Sequence, residues 1–586
     1  MSIIWDELTQ GGYHKSDKGF LFSTTKNQEK KQDPLGYSTR VSRGRLIFVA
    51  LIMLLAYLAV AQRLVHLSTT NVAHLEINTQ NSPGIPTPYK PKLVRANILD
   101  RNGDLLASTI NLNSAYIDPR LVKHPEKTAH AILKVLPSLD HNTLLARLKH
   151  PTAHFQWVKR GLSPKEAQSL NALGIAAVKF IPEPHRVYPY ANLFSHIVGH
   201  TDIDNNGIAG LEKEMNGTLL DIAEPVQTAL DLRIQHIVRD ELQKQINTFD
   251  AIGGSAVLMD VDSSEILALV SLPGYNPNKI SDSNPKALFN MATNGVYELG
   301  SVFKLFTVAN ALETGAVSPQ EQFDVSRPLI IGGAKIDDYH RVHQPLTMAG
   351  ILQESSNIGA VKIANRIGSK EQERFLKNLG FTLPADVQLP EVGTPITPNE
   401  WRPIRSATIS YGHGISVSPL QVTTAVAAMV NGGLYREPTL LKQKYGEERT
   451  ARQVISSETS YLMRRYMEQV VTNGTGRNAA VKQYRVGGKT GTADKPGSGS
   501  YNEEKRIATF VAAFPIDKPQ FALTVVIDEP KAQEHSQGFA TAGWVAAPVA
   551  KRIITRVASS LGLHPSEVEL NLDANPLGIT DTTDSI

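Results

Sequence analysis

The chain has 586 residues, enough for two or three domains with separate cores. Its 60 basic and 56 acidic side chains give a formal net charge of +4 at pH 7, which gives no reason to expect a nucleic-acid partner. The sequence contains no cysteine, so disulfides and cysteine-ligated metal sites are excluded. That composition is compatible with an oxidising compartment, where a free thiol is a liability.

An uninterrupted apolar run is the first pattern along the chain. Residues 46–61 carry no charge, and apolar residues continue to Leu67, so the run is about long enough to cross a bilayer. We predict a transmembrane anchor over 45–67. Several arginines close to its start assign residues 1–44 to the cytoplasm as a polar tail. A cleaved signal peptide is the alternative, but a leading segment of this length is too long for one.

The next part of the chain shows no grouping of residues that suggests catalysis. Residues 71–92 are polar and contain prolines, and we interpret them as a linker or a first strand. Residues 93–224 contain short strand-like runs and a segment from Ser163 that is typical of a capped helix. We therefore predict a non-catalytic domain over 68–225.

The first motif with chemical meaning is Ser301-Val302-Phe303-Lys304. Gly300 and Gly315 mark the start and stop of a predicted helix, on which Ser301 and Lys304 share a face and can hydrogen-bond. Lys304 is the only charge in an otherwise apolar helix, so we expect it to be buried. Burial lowers the pKa of a lysine and makes its amine a base, while the helix N-terminus stabilises negative charge beside Ser301. A core helix with one lysine reaching solvent is the alternative.

The second motif, Ser355-Ser356-Asn357, lies between two apolar runs of helical period. At such a junction Ser355 and Asn357 could direct small polar groups into a cleft. A helix N-cap is the alternative, because serine and asparagine are favoured there.

The third motif, Lys489-Thr490-Gly491-Thr492, is typical of a strand whose glycines allow close approach to the backbone. A phosphate-binding loop is the alternative, but the upstream glycine that such a loop requires is missing. Four further strand-like runs, at 255–261, 266–270, 507–514 and 521–527, predict a sheet of about five strands. We place this domain at 226–560, followed by a flexible, acidic tail at 561–586.

All three motifs together, in this order, form a set known from serine acyl-enzymes that act on penicillin-like substrates. The chain resembles the class B penicillin-binding proteins from about residue 45 to 552, and within them the septal FtsI family, which has Ser-x-Asn with Lys-Thr-Gly. Further segments carry the resemblance: 95–103, 186–189, 196–199, 207–212, 275–278 and 411–421. Ala96 departs from it, since the family usually has glycine there.

The resemblance implies a multidomain α+β protein. Its parts would be a single N-terminal transmembrane helix, an elongated α/β pedestal domain that docks partners, and a C-terminal transpeptidase domain with a mainly antiparallel five-stranded sheet flanked by helices. It implies a single-pass protein of the inner membrane with a periplasmic catalytic domain. The implied partners are peptidoglycan stem peptides, β-lactam antibiotics, the SEDS-type glycosyltransferase FtsW and other division proteins. No metal or cofactor is implied.

The implied reaction is a two-step acyl transfer. Ser301 attacks the penultimate D-alanine carbonyl of a stem peptide and expels the terminal D-alanine, and the amine of a second stem peptide then attacks the ester. Lys304 would be the base for Ser301, and Ser355 would relay a proton to the leaving amine. Lys489 would lower the pKa of Lys304 and hold Ser355. Asn357 would hydrogen-bond both Lys304 and the substrate amide.

The resemblance also implies how the substrate is held. The N–H groups of Ser301 and Thr492 would form the oxyanion hole, and the hydroxyls of Thr490 and Thr492, on either side of Gly491, would bind the terminal carboxylate. His413 is interpreted as structural. The alternatives are an elongation transpeptidase, a D,D-carboxypeptidase or a β-lactamase with the same machinery, and a non-catalytic penicillin sensor or division scaffold.

Overall fold

The computed structural model describes residues 43–69, 95–222, 224–444, 446, 449–496 and 501–565. The chain divides into two compact units, Met1–Lys90 and Pro91–Ile586. Most of the predicted cytoplasmic tail, the whole of the linker at 71–92 and the predicted C-terminal tail beyond residue 565 lie outside the described residues.

The first unit contains one described helix, α1 (Arg43–Thr69), which includes the predicted anchor. Large apolar side chains on it, such as Ile47 and Phe48, are exposed. No helix in the described parts of the chain meets the length and apolarity needed to span a membrane, so the prediction of a single span is not confirmed.

The second unit begins with a small mixed region built on one five-stranded sheet. Its elements are β1 (Ile98–Leu99), β2 (Leu105–Ile117), α2 (Pro125–Val135), α3 (His141–Leu148), β3 (Gln156–Leu162), α4 (Pro164–Ala172), β4 (Val178–Val187), α5 (Ser195–Val198), β5 (His200–Thr201), β6 (Gly207–Ala209), α6 (Gly210–Glu214), α7 (Asn216–Asp221) and β7 (Val226–Gln227). Strand β2 pairs antiparallel with β1, β3 and β4, and β7 joins β1 in parallel.

Helices α2 to α4 form a small core with β2 and its neighbours. Ala115 and Ile117 of β2 pack with buried apolar residues of these helices, such as Ile132 and Leu144. The predicted cap of α4 is present, because the Ser163 side chain accepts from the N–H of residue 166 while the side chain there accepts from the N–H of Ser163. This reciprocal capping fixes where α4 starts on the sheet.

The larger region that follows carries the three motifs. Its elements are α8 (Leu232–Thr248), β8 (Gly253–Asp260), β9 (Ile266–Leu272), α9 (Phe303–Glu313), β10 (Leu329–Ile331), β11 (Ala334–Ile336), α10 (Met348–Glu354), α11 (Asn357–Ile367), α12 (Ser369–Asn378), α13 (Pro403–Ile409), α14 (Pro419–Val430), β12 (Leu434–Tyr435), β13 (Arg452–Gln453), α15 (Ser457–Thr472), β14 (Gly487–Pro496), β15 (Tyr501–Phe514), β16 (Phe521–Asp528) and α16 (Ala542–Val557).

A five-stranded antiparallel sheet organises this region, and its strand order is β14-β15-β16-β8-β9. A sheet of about five strands was predicted from the sequence. The buried residues of β16 alternate between two cores. Leu523 and Val525 belong to the core with α8 and α16, whereas Ala522 and Val526 belong to the core with α9 and α14. Helices therefore cover both faces, which explains why the strands are apolar throughout.

The two regions share hydrogen bonds where the segment after β1 meets the start of α8. The Asp100 carboxylate accepts from the N–H of Leu232, the first residue of α8, at 3.1 Å. Asp231, the N-cap of α8, adds a second acceptor for the same helix end. The start of the larger region is thus completed by residues from the smaller one.

A buried ionic cluster lies in the smaller region, where three of the segments that carry the family resemblance meet. Glu212 forms ion pairs with Arg95 and with Arg186, whose Nε lies 2.7 Å from the carboxylate, and all three side chains are almost fully buried. Arg95 also donates to Asn216 Oδ1 at 2.8 Å, and Arg186 to Thr109 Oγ1 at 3.0 Å. One carboxylate therefore pairs with two buried guanidinium groups.

We predict that Glu212→Gln destabilises the protein by about 3–5 kcal/mol, because it leaves two buried cations without a countercharge. Unfolding in urea, followed by circular dichroism, measures the loss. Glu126→Gln is the matched control, since Glu126 and its partner Lys149 are more than half exposed and their pair should matter little. Equal stability of the two variants would contradict the argument.

Candidate active site

The nucleophile candidate lies in a tight turn that only glycines allow. Residues 300–302 form a 3-10 turn that leads into α9, and Gly300 has a φ of +54°. A Cβ on Gly300 would lie 2.6 Å from the carbonyl oxygen of Thr492, and one on Gly491 would lie 2.1 Å from that of Leu299. A Cβ on Gly412 would lie 2.0 Å from the Gly300 oxygen. These backbone contacts hold Ser301 against β14.

Lys304 lies one turn into the helix and is fully buried. Its Nζ is 2.8 Å from Ser301 Oγ, the hydrogen bond that the spacing of the motif predicts. The same Nζ donates to the carbonyl oxygen of Ser355 at 2.6 Å and lies 3.1 Å from Ser355 Oγ. The lysine therefore joins the first and second motifs.

Ser355 faces the lysines because of an unusual backbone conformation. It ends α10 with φ +60° and ψ +42°, the left-handed region that residues other than glycine seldom adopt. The N-cap of α11 is Ser356, whose side chain accepts from Gly359 N, so the capping alternative applies to Ser356 and not to Ser355 or Asn357. Because Ser356 caps the helix, the Ser355 hydroxyl remains available to the site.

Lys489 approaches the same hydroxyl from β14. It is fully buried, and its Nζ donates to Ser355 Oγ at 3.0 Å, to the Thr490 carbonyl at 3.1 Å and to Thr490 Oγ1 at 3.3 Å. Thr490 Oγ1 in turn lies 2.8 Å from Thr475 Oγ1. The three motifs therefore converge on Ser355 Oγ, with one lysine on each side.

Burial dominates the electrostatics of both lysines. It lowers the pKa of Lys304 well below the ordinary lysine value, and the neighbouring charge of Lys489 lowers it further, as predicted, while Asp338 opposes the shift. Burial lowers the pKa of Lys489 to about 7. An uncharged amine next to Ser301 is therefore accessible near neutral pH, which a proton acceptor requires.

The predicted contact of Asn357 with Lys304 is wrong. Within the described residues no hydrogen bond joins the two side chains. Asn357 is the first residue of α11, and its Nδ2 donates instead to the carbonyl of Asp337 at 3.0 Å. Its N–H donates to the Asp338 carboxylate at 2.5 Å.

Asp338 is a site residue that the sequence did not reveal. Its buried carboxylate accepts from Ser356 Oγ at 2.6 Å and from the N–H groups of Asn357 and Ile358, the latter at 3.0 Å. It thus holds the start of α11 from a segment beyond β11. The sequence did not reveal Thr475 either, because neither Asp338 nor Thr475 belongs to a local motif.

The threonines of the third motif retain hydrogen-bonding capacity. Thr492 Oγ1 accepts from the N–H of Ala542 at 3.0 Å, so its own O–H can still donate. His413 lies 3.1 Å from the Glu298 carboxylate, which also accepts from Gly414 N, an arrangement that fits a structural role. In the described parts of the chain no group of three or more acidic or histidine side chains could hold a metal ion.

Comparisons with protein families cover both regions of the second unit. Residues 254–555 match the family described as penicillin binding protein transpeptidase domain. Residues 91–220 match the family described as penicillin-binding protein dimerisation domain. All the motif residues of the site lie within the first of these matches.

Named relatives and solved structures agree with the family matches. A probable peptidoglycan D,D-transpeptidase FtsI of Caulobacter vibrioides is 36% identical, over 80% of this chain and 82% of that protein. The peptidoglycan D,D-transpeptidase FtsI of Escherichia coli K12 is 29% identical, over 80% of this chain and 84% of that protein.

Penicillin binding protein 3 of Mycobacterium tuberculosis, solved with aztreonam, has the same fold. Its TM-score is 0.65 at 24% identity, covering 81% of this chain and 98% of that one. The two-domain architecture, the catalytic motifs and the matched families therefore agree, and the chain belongs to the FtsI family of class B penicillin-binding proteins.

Proposed function

We propose that this protein is a peptidoglycan D,D-transpeptidase that cross-links stem peptides of the septal wall through an ester on Ser301. The observation that carries the proposal is the buried amine of Lys304, within hydrogen-bonding distance of both Ser301 Oγ and Ser355 Oγ. The Caulobacter and Escherichia coli relatives are named for the same activity.

Acylation begins with proton transfer from Ser301 Oγ to the uncharged Lys304 amine. The oxygen then attacks the carbonyl carbon of the penultimate D-alanine, and the negative charge that forms on the carbonyl oxygen is stabilised by the N–H groups of Ser301 and Thr492. Such donors contribute about 3 kcal/mol each in other acyl-enzymes. As the C–N bond breaks, Ser355 passes a proton to the leaving nitrogen, and D-alanine departs.

Cross-linking reverses the proton transfers. The amine of a second stem peptide gives up a proton to Lys304 and attacks the ester carbonyl, and Ser301 recovers its proton as the C–O bond breaks. A β-lactam follows the first step only. Its amide nitrogen remains tethered to the acyl group after ring opening, so the leaving group does not make room for the acceptor amine.

The third motif and its neighbours position the substrate. We assign the terminal carboxylate to the hydroxyls of Thr490 and Thr492, because the O–H of Thr492 is free to donate. Gly491 keeps the strand close to the nucleophile turn. Asn357 contacts the substrate amide in this proposal, but it acts on Lys304 only indirectly, through the segment that holds α11.

The other parts of the chain serve assembly. We propose an anchor at 45–67 in the inner membrane, a cytoplasmic tail at 1–44, a partner-docking pedestal at 68–225 and a periplasmic catalytic domain at 226–560, with a flexible tail after it. The uncharged run at 46–61 and its exposed apolar side chains support the anchor. The proposed partners are the glycosyltransferase FtsW and other division proteins, in addition to stem peptides and β-lactams.

The direct test of the function uses fluorescent penicillin and a stem pentapeptide substrate with an added acceptor amine. The wild type should form one penicillin adduct, which peptide mass spectrometry maps to Ser301, and should yield the cross-linked product. Ser301→Ala should form neither. An adduct on another serine would refute the assignment, and hydrolysed product without cross-links would identify a carboxypeptidase instead.

The lowered pKa of Lys304 predicts how the rate of penicillin acylation depends on pH. The base must be uncharged, so the rate should rise with pH through an apparent pKa well below the ordinary lysine value of about 10.4. Lys304→Arg cannot deprotonate, and its acylation should be about 10²–10⁴-fold slower. Circular dichroism checks that this variant folds. Acylation at the wild-type rate would assign the proton acceptor elsewhere.

The charge of Asp338 should be visible in the same pH profile. Asp338 raises the pKa of Lys304, so Asp338→Asn should move the apparent pKa of acylation to a lower value. Asp337→Asn is the matched control, because it removes the same charge from an adjacent residue whose side chain pairs with Lys335 and Arg341 instead. Identical profiles for the two variants would contradict a specific role for Asp338.

A further inference from the structure

The smaller region of the second unit contains a cavity that the catalytic mechanism does not use. Its volume is about 490 Å³, within the range of roughly 300–1,000 Å³ that is usual for small-molecule sites. It lies between the sheet and α4. Asn111 and Asn113 of β2 line one wall, and Gln168 and Asn171 of α4 line the other.

The side chains around this cavity determine which ligands it can hold. None of the nine lining residues carries a charge. Four of them are amides, each with donors and an acceptor. All four are exposed, and within the described part of the chain no hydrogen bond joins their side chains to another protein group, so they are free to bind a ligand. A phosphate or carboxylate would require basic groups, so the ligand is an uncharged molecule rich in both donors and acceptors.

The cavity also offers an aromatic surface. Phe180 of β4 lies opposite Ala115 of β2, and alternation along β2 places Asn111 and Asn113 on the same face of the sheet. A ligand in this cavity would therefore be recognised by side chains on the face of the sheet. An added peptide strand would instead be read by main-chain hydrogen bonds along a strand edge.

From this lining we propose that the cavity is a saccharide site, which holds an N-acetylated hexosamine of an uncharged glycan strand. The apolar face of a sugar ring packs on Phe180, while its hydroxyl and acetamido groups pair with the four amides. The inference rests on the proposed function, because the stem peptides that Ser301 joins are attached to such strands. The site would hold the donor strand at a second point, away from the reacting peptide.

The test uses the full chain in a detergent that contains no sugar, with tetra-N-acetylchitotetraose as the probe. Binding is measured by saturation-transfer NMR and calorimetry. We expect cellotetraose, which lacks the acetamido groups, to bind more weakly. We expect Gln168→Leu and Asn113→Leu each to weaken binding of the probe by about tenfold, equivalent to about 1.4 kcal/mol.

Asn142→Leu is the matched control, since it removes an exposed amide from α3, outside the cavity. Its affinity for the probe should equal that of the wild type, and thermal unfolding by circular dichroism checks the fold of all three variants. Absence of probe binding, equal affinity for the two sugars, or equal loss in the control would overturn the proposal. So would competition by a sugar-free stem peptide, which would assign the cavity to peptide.

Penicillin acylation of the same wild-type preparation tests the proposed function separately from the saccharide site. A preparation that reacts with penicillin but does not bind the probe refutes the saccharide site and leaves the proposed function intact. A preparation that does not react with penicillin refutes the proposed function, whatever its affinity for the sugar.

Discussion

The buried amine of Lys304 is the feature on which the rest of the catalytic region depends. A lysine without access to solvent loses the hydration that stabilises its charge, and here a second buried lysine adds repulsion. The neighbouring oxygens of Ser301 and Ser355 provide hydrogen bonds that an uncharged amine can also make. The site therefore keeps its base ready near neutral pH by excluding water from it, without a histidine or a metal in the proposed mechanism.

This requirement explains the packing around the site. Helix α9 is buried over most of its length, and Phe303 and Phe306 on it pack against Phe381. The other side of the lysine faces β14, which can come close only because Gly300 and Gly491 lack side chains. A serine, two lysines and a second serine are thus assembled from a helix, an interhelical turn and a sheet edge.

Sequence patterns predicted the parts of the site that depend on local geometry. Ser301 and Lys304 are one helical turn apart, so their contact follows from spacing alone. The third motif and four strand-like runs predicted the five strands of the catalytic sheet. Asp338 was not predictable, because its role arises from a tertiary contact with the start of α11. The predicted contact of Asn357 was wrong for the same reason. Its amide donates to the carbonyl of Asp337, which is distant in sequence.

The capping of α8 has a consequence for how the two regions can evolve. The carboxylate of Asp100 satisfies a backbone N–H at the start of the catalytic region. Strand β7 lies between the two family matches, and β1 is its only partner strand among the described residues. A chain cut at the boundary between the family matches would expose these groups. The two regions match separate families, yet the start of the larger one depends on a hydrogen bond from the smaller one. A gene rearrangement that replaces one region with the corresponding region of another protein must therefore also preserve these contacts between β1, β7 and α8.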